Sequence, residues 1–347
     1  NNLKDISVKI PKNKLVFFTG VSGSGKSSLV FHTIAAEAQR QLYEMFPLYV
    51  RNRLPRYEKP QVESLENLSP VVVVDQRTFM GDIRSTVGTM TDTAPLLRLL
   101  FSRCAKPRLN SSRLFSFNDP QGMCRRCSGL GKIIVFDQEK LFDQSKSLNQ
   151  GAILFPGHKK GSYQWQMYAN AGFLDADKPL KDYSSKEWFD FLHGRGIKVD
   201  IENTTGTVWD ESYKLTYEGF LDRIERLYLK KDIERQSERN RKIIKEYTRE
   251  EICPQCGGSR LNEAAGKCRL NGKTLTDIGN MEIRELRQFL KTIADPLGIP
   301  TVRKLLNILE GMEELGLDYL NLNRESVSLS RGELQRLKIV RHLGSSL

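Results

Sequence analysis

The feature that most constrains this chain is Gly20-Val21-Ser22-Gly23-Ser24-Gly25-Lys26-Ser27, which fits the phosphate-loop pattern G-x-x-x-x-G-K-[ST]. Such a loop works where a strand ends and a helix begins, and the flanks predict both. Leu15-Val16-Phe17-Phe18-Thr19 reads as a short buried strand, and Ser28-Leu29-Val30-Phe31 opens a helix. Glycines let the backbone curl so that several N–H groups face one anion. The helix N-terminus behind them adds its dipole. Gly20, Ser22, Gly23, Ser24, Gly25, Lys26, Ser27 and Ser28 are the candidate site for a nucleoside triphosphate. Lys26 would reach the terminal phosphates and the Ser27 hydroxyl would ligate Mg²⁺.

The surroundings extend this reading. Leu3, Ile6, Val8 and Ile10 alternate with polar residues and predict a strand. Residues 29–49 carry a helical pattern with Leu29, Ile34, Ala38 and Leu42 inward. Residues 51–60 are basic and broken by prolines, which marks a surface linker. Val71-Val72-Val73-Val74 reads as a second buried strand, running into Asp75-Gln76-Arg77. A glutamine at such a strand end can reach a nucleotide's Mg²⁺ or an attacking water. The plainer reading of Gln76 is an ordinary polar residue at the end of a strand.

Four of the six cysteines form two C-x-x-C pairs, Cys124/Cys127 and Cys253/Cys256, each followed by glycines. A two-residue gap sets two thiolates at tetrahedral spacing around one ion. Nearby glycines leave backbone N–H groups available to sulfur. The two pairs together predict a four-cysteine Zn²⁺ site spanning a long insertion. A redox C-x-x-C needs only one pair, opening a helix. Cys104 and Cys268 lack partners at ligand spacing and read as free thiols.

Between the pairs, Tyr163, Trp165, Tyr168, Phe173, Trp188, Phe189 and Phe191 are expected to fill a small core. A stacking platform for nucleic acid is the alternative. From Tyr217 a helical pattern puts Phe220, Leu221, Ile224, Leu227 and Tyr228 on one face. Arg235, Arg239, Arg241, Lys242, Lys245 and Arg249 then make a basic stretch, interspersed with Glu225, Glu234, Glu238 and Glu246. Those acids can pair with the bases at helical spacing and leave only a solvated face. The formal net charge of +12 favours a polyanionic partner. General solubility is the bland account of the same surplus. Residues 270–278 predict a strand and turn, and residues 283–293 and 301–315 predict helices. No apolar run approaches the ~20 residues that span a bilayer, so no membrane partner is expected. The sequence starts at Asn rather than Met and reads as a trimmed piece. With no secretory leader, the cytoplasm is the expected compartment.

Several stretches carry a resemblance to one family. FFTGVSGSGKSSLVFHTIAAEAQR, LSPVVVVDQRTFMGDIRSTVGTMTDTAPLLRLLFSR, both cysteine pairs, Gly316-Leu317-Asp318-Tyr319-Leu320 and Ser328-Leu329-Ser330-Arg331-Gly332-Glu333 resemble the N-terminal half of UvrA, the ABC-type ATPase of bacterial nucleotide excision repair. The resemblance implies an α/β fold: an ABC-ATPase-like P-loop nucleotide-binding domain with an inserted zinc-containing mixed α/β signature domain. It implies an ATP-binding segment over 1–113, a zinc-containing insert over 114–265, and a signature region over 266–347. Gln76 would be the Q-loop residue that meets the γ-phosphate and Mg²⁺. Ser330, Gly332 and Glu333 would belong to the ABC signature, usually L-S-G-G-[QE], with Arg331 replacing its first glycine. His32 stands where the family usually has Asp.

The implied cofactors are ATP, Mg²⁺ and Zn²⁺. The implied partners are double-stranded DNA, a second ATP-binding half of the same polypeptide, and a second copy of the full-length protein. The sequence stops at Leu347, before the carboxylate-bearing strand of ABC ATPases, so no catalytic residue is assigned and this chain alone is expected to bind ATP with little hydrolysis. Residues 104–113 stand where repair UvrA proteins carry their UvrB-docking module, so that docking is not expected. The implied function is ATP-dependent recognition of DNA damage. The alternative is a UvrA-related ABC ATPase of antibiotic resistance acting on a protein partner. A metal between loop and signature, which transporter ATPases generally lack, separates the two.

Overall fold

A computed structural model of the chain describes residues 3–74, 84–194, 196–201, 213–230 and 235–343. They fall into two compact units. One is Asn1–Ser112 with Cys268–Leu347, and the other is Arg113–Lys267.

In the first unit the glycine loop leads into a helix that starts with wide π-type turns over Ser28–Ala35 and continues as α1, Ala36–Glu44. Ala35, Ala36 and Ala38 are buried on its inner side. Glu37, buried beside them, is held by Arg40 at 2.7 Å and by Gln41. The short helix Val87–Met90 is closed by a capping box between Thr86 and Thr89. Helix α2, Thr93–Cys104, buries Leu97, Leu100 and Phe101.

The expected strands are not formed. Residues 3–10, 15–19 and 71–74 have no strand structure, and Leu15 and Phe17 are 83% and 78% exposed. The reason is that a phosphate-loop strand is buried on both faces by parallel neighbours and crossover helices. Among the described residues the only ladders are two two-stranded antiparallel sheets, both in the second unit. An apolar run without such neighbours has nothing to bury it. The fold among the described residues is mixed helix and sheet, without a parallel sheet.

The second unit opens with β1, Lys132–Phe136. Helices α3, Tyr163–Ala169, and α4, Ser185–His193, follow, both started by serine caps. Strands β2, Lys198–Ile201, and β3, Tyr213–Thr216, form one hairpin-like pair. Helix α5, Phe220–Ile224, runs on as a π-type helix over Glu225–Leu229. Helix α6, Glu238–Tyr247, leads directly into β4, Thr248–Ile252. β4 returns antiparallel to β1, with Lys132 opposite Ile252 and Phe136 opposite Thr248. The core above this stem is aromatic. Tyr168, Phe191 and Phe220 are fully buried, and Phe220 lies 5.0 Å from the Phe142 ring and 5.5 Å from Tyr168. Edge-to-face packing of such rings adds ~0.5–1.5 kcal/mol per pair beyond burial. The aromatics between the cysteine pairs are therefore mainly core, although Phe189 is 60% exposed.

The chain then returns to the first unit. A bridge of Leu270 with Lys273 is followed by helix α7, Leu275–Asn280, and α8, Ile283–Lys291. Helix α9, Ile299–Glu314, buries Leu305, Leu309 and Met312 and packs on α2, where Arg103 meets Thr301 at 3.5 Å. Gly316, at φ +65°, turns the chain after it. Helix α10, Arg331–Leu343, closes the unit. No helix is long and apolar enough to cross a membrane among the described residues.

Candidate metal centre and phosphate loop

Cys124 and Cys127 sit in a tight turn below β1, and Cys253 and Cys256 in a second turn directly after β4. The β1–β4 stem brings the two turns together, although paired cysteines are 129 residues apart. The four Sγ atoms all lie within 4.8 Å of one another. Cys124 and Cys253 approach to 3.9 Å, and Cys127 and Cys256 to 3.7 Å. A tetrahedral ion with metal–sulfur bonds of ~2.3 Å needs sulfurs ~3.8 Å apart. The observed spacing meets that requirement and is far too long for a disulfide. Among the described residues this is the one cluster arranged to hold a metal.

The electrostatics follow from burial and backbone dipoles. Burial pushes the Cys127 thiol up, and pushes Cys256 up to about 12. At Cys253 burial acts the same way, but the N–H groups of Cys256 and Gln255 outweigh it and bring the thiol down to about 7. Gly131 N–H donates to Cys127 Sγ at 3.2 Å. A divalent cation would convert all four thiols to thiolates. Of the remaining cysteines, Cys268 donates to the Pro107 carbonyl at 3.1 Å, and neither it nor Cys104 is in a disulfide.

The phosphate-loop residues lie on one exposed turn. Gly20, Gly23 and Gly25 have φ of +152°, +80° and +93°, a conformation that only glycine adopts readily. Lys26 Nζ donates to the Gly20 and Val21 carbonyls, both at 2.7 Å, and to Ser24 Oγ at 3.4 Å. The lysine is thus folded into its own loop. Ser22, Ser24 and Ser27 are exposed on the turn, and Ser28 begins the helix. Gln76 lies outside the described residues.

At the other motif, Ser330, Arg331 and Gly332 are exposed at the start of α10. Glu333 is buried and committed locally. It accepts from Ser330 N–H at 2.6 Å and from the Tyr319 hydroxyl at 2.7 Å, with Arg324 at 3.5 Å. Burial works against its ionisation, yet these donors hold the carboxyl below its usual range. The Ser330–Glu333 exchange is a capping box. The structure also joins two motifs that periodicity could not connect. Val87 N–H donates to the Arg324 carbonyl and Gly88 N–H to that of Leu322, so residues 85–89 dock on the segment that leads into Ser330. A Cβ at Gly88 would stand 3.1 Å from the Leu322 carbonyl oxygen, so only glycine fits without a shift.

On α6, Ile243 and Ile244 face the core while Arg239, Arg241, Lys242 and Lys245 are exposed. Arg226 bonds Glu218 at 2.6 Å, and Arg249 bonds Glu251 and Asp137. Two residues of consequence escaped the reading of the sequence. Gly131 belongs to the glycine run after Cys127 and gave only the general signal of that run. His158 is an isolated histidine without any pattern. It is buried, its Nδ1 faces the Phe155 and Pro156 carbonyls, and Nε2 has no hydrogen-bond partner among the described residues.

Within the insert that the cysteine clasp closes, residues 137–244 match the family described as UvrA DNA-binding domain. Along its whole length the chain is 28% identical to the UvrABC system protein A of Mycoplasmopsis pulmonis over 501 aligned positions, and 31% identical to that of Paucimonas lemoignei over 379. It covers 52% and 54% of those proteins. The crystal structure of UvrA2 from Deinococcus radiodurans matches with a TM-score of 0.75 at 28% identity, covering all of this chain and 46% of that one. Along its whole length the chain is thus similar to UvrA proteins. It spans about half the length of the curated relatives it matches.

Proposed function

We propose that this chain is the N-terminal half of a UvrA-like, ATP-dependent DNA-binding protein that recognises DNA damage in nucleotide excision repair. The observation that carries the reading is the similarity over the entire chain to UvrABC system proteins, with the DNA-binding-domain match on the insert. The chain divides into an ATP-binding segment over 1–113, a zinc-containing insert over 114–265 and a signature region over 266–347. Gly20 to Ser28 would bind the triphosphate of ATP, with Lys26 turning from its loop carbonyls to the phosphates and Ser27 and Gln76 serving Mg²⁺. Ser330 and Gly332 would serve a nucleotide held by a second ATP-binding half, while Glu333 secures the helix that presents them. Cys124, Cys127, Cys253 and Cys256 would hold Zn²⁺, the ion whose four-thiolate radius matches their spacing. The exposed bases of α6 offer the insert's contacts to phosphates of duplex DNA.

The complete protein is read as a cytoplasmic homodimer and an ABC-type ATPase. Alignment to the Mycoplasmopsis pulmonis relative takes 501 positions for a chain of 347 residues. That aligned span holds positions this chain lacks, and we read residues 104–113 as the place where they are missing. That supports the expectation that UvrB does not dock through the usual module.

The test is a titration of duplex DNA, with and without a bulky adduct, by the complete protein at several salt concentrations. Affinity should fall steeply with salt and favour the adduct when ATP is present. Equal, salt-insensitive binding of both duplexes would refute the reading.

A further inference from the structure

Gly131 stands where the two cysteine turns meet. Continuing the β1–β4 register by one residue beyond the Lys132–Ile252 pair places Gly131 opposite Cys253. Its carbonyl accepts from Cys253 N–H at 2.9 Å, and its own N–H donates to Cys127 Sγ at 3.2 Å. One peptide-wide residue therefore holds a ligand of the first turn and the backbone of a ligand of the second. Its φ is +77°, and a Cβ there would come within 2.9 Å of both Arg260 Cγ and the Gly258 carbonyl oxygen. A second backbone link between the turns, from Cys124 N–H to the Arg260 carbonyl at 2.9 Å, touches no sulfur. The link through Gly131 joins one turn to the other.

We propose that Gly131 is the positioning residue of the metal centre, coupling the two knuckles so that the bound ion and the β1–β4 stem close as one unit. The N–H···S bond orients Cys127 and withdraws charge from a centre that carries a net negative charge when four thiolates meet a divalent ion. The carbonyl bond extends the stem ladder into the second knuckle. Filling of the metal site is thereby tied to closure of the base of the insert.

The proposal rests on the zinc reading above, and the experiment separates the two. Gly131→Ala is compared with Gly257→Ala in the full chain. Gly257 also has positive φ, at +56°, but a Cβ there meets nothing within 4 Å and its N–H bond to the Cys253 carbonyl is unaffected. Both variants put a side chain at positive φ, but only the Cβ at position 131 crowds Arg260 and Gly258 and so displaces the bridging peptide. Zinc transfer to an excess of chromophoric chelator should be at least ~10-fold faster from Gly131→Ala, and within about twofold of the parent from Gly257→Ala, a site with no packing to disturb. Should Gly131→Ala fail to fold, the parent chain loaded with ¹¹³Cd decides alone: the Gly131 amide proton should show scalar coupling to the metal through the bond to Cys127. Equal release from both variants, or no coupling at the Gly131 amide of the loaded parent, overturns the positioning role and leaves the zinc site standing. A parent chain that takes up neither zinc nor cadmium overturns both.

Discussion

The insert and the phosphate-loop segment are both marked by short glycine-rich motifs, yet they end in opposite states of burial. In the insert, Phe142, Tyr168, Phe191 and Phe220 pack ring against ring above a stem whose base gathers four cysteines. In the phosphate-loop segment, Leu15, Phe17 and Val21 are mostly exposed although the loop glycines take their special conformations. The loop's shape is a local matter of φ and a lysine reaching carbonyls five and six residues back. The burial of the strand before it depends on neighbours in a sheet. The insert contains its own partners within one unit, and the phosphate-loop strand does not find any among the described residues. Local geometry and tertiary burial are thus separable properties of a motif.

The largest effect should come from the metal. Binding of structural zinc is of order 10–16 kcal/mol in small domains near neutral pH. Cys253→Ser with Cys256→Ser should reduce bound zinc from one ion per chain to none, measured by metal analysis. Near-UV circular dichroism of the aromatic core should persist, because those rings lie apart from the cysteine cluster. Loss of that signal together with the zinc would mean that the clasp and the core are one cooperative unit.

Phe220→Ala should destabilise the insert by ~3–5 kcal/mol, because it opens a cavity among buried rings. Denaturant unfolding followed by intrinsic fluorescence measures it, and a cost under 1 kcal/mol would break the contrast with the exposed segment.

Acid should act on the same core. Burial keeps the His158 imidazole neutral, lowering its pKa from the ordinary 6.5 to about 4. The unfolded chain takes up that proton first, so stability is full above 6.5 and is lost as pH falls from 6.5 towards 4. The loss should reach ~3 kcal/mol, and His158→Phe should flatten the slope between those limits. An unchanged slope in that variant would locate the acid sensitivity elsewhere.

Smaller changes are expected on the exposed side. Lys26→Ala should weaken ATP binding by at least ~10-fold, as loss of a charge-assisted phosphate contact does, without altering the melting temperature of the insert. Isothermal titration with Mg-ATP reads it, and undiminished affinity would remove Lys26 from the site. Phe17→Ala, at an exposed position of this chain, should change stability by less than ~0.5 kcal/mol. A cost comparable to Phe220→Ala would show that the segment is buried in solution.

Much of the insert was legible before any coordinates. Cys-x-x-Cys spacing is a statement about two sulfurs and one ion, and it needs no knowledge of the intervening chain. Aromatic residues clustered near turns are expected inside, and Tyr168 and Phe191 are. The helix expected over 301–315 is found at Ile299–Glu314, because its apolar period and the glycine after it are written in consecutive residues. The docking of Val87 and Gly88 on residues 322–324 was not legible, since hydrogen bonds between segments over 230 positions apart leave no periodic trace. The burial of His158 left none either.

Residue order alone was enough for the glycine loop and for the four cysteines that the structure gathers, since each is decided by covalent geometry and side-chain chemistry within a few residues. Only the tertiary structure decided that Gly131 bridges the two knuckles, that Glu333 is spent on a cap, and that Leu15 and Phe17 stay exposed. Burial and cross-chain hydrogen bonds depend on which distant segment arrives at a given place, and that information is distributed over the whole chain rather than carried by any one stretch of it.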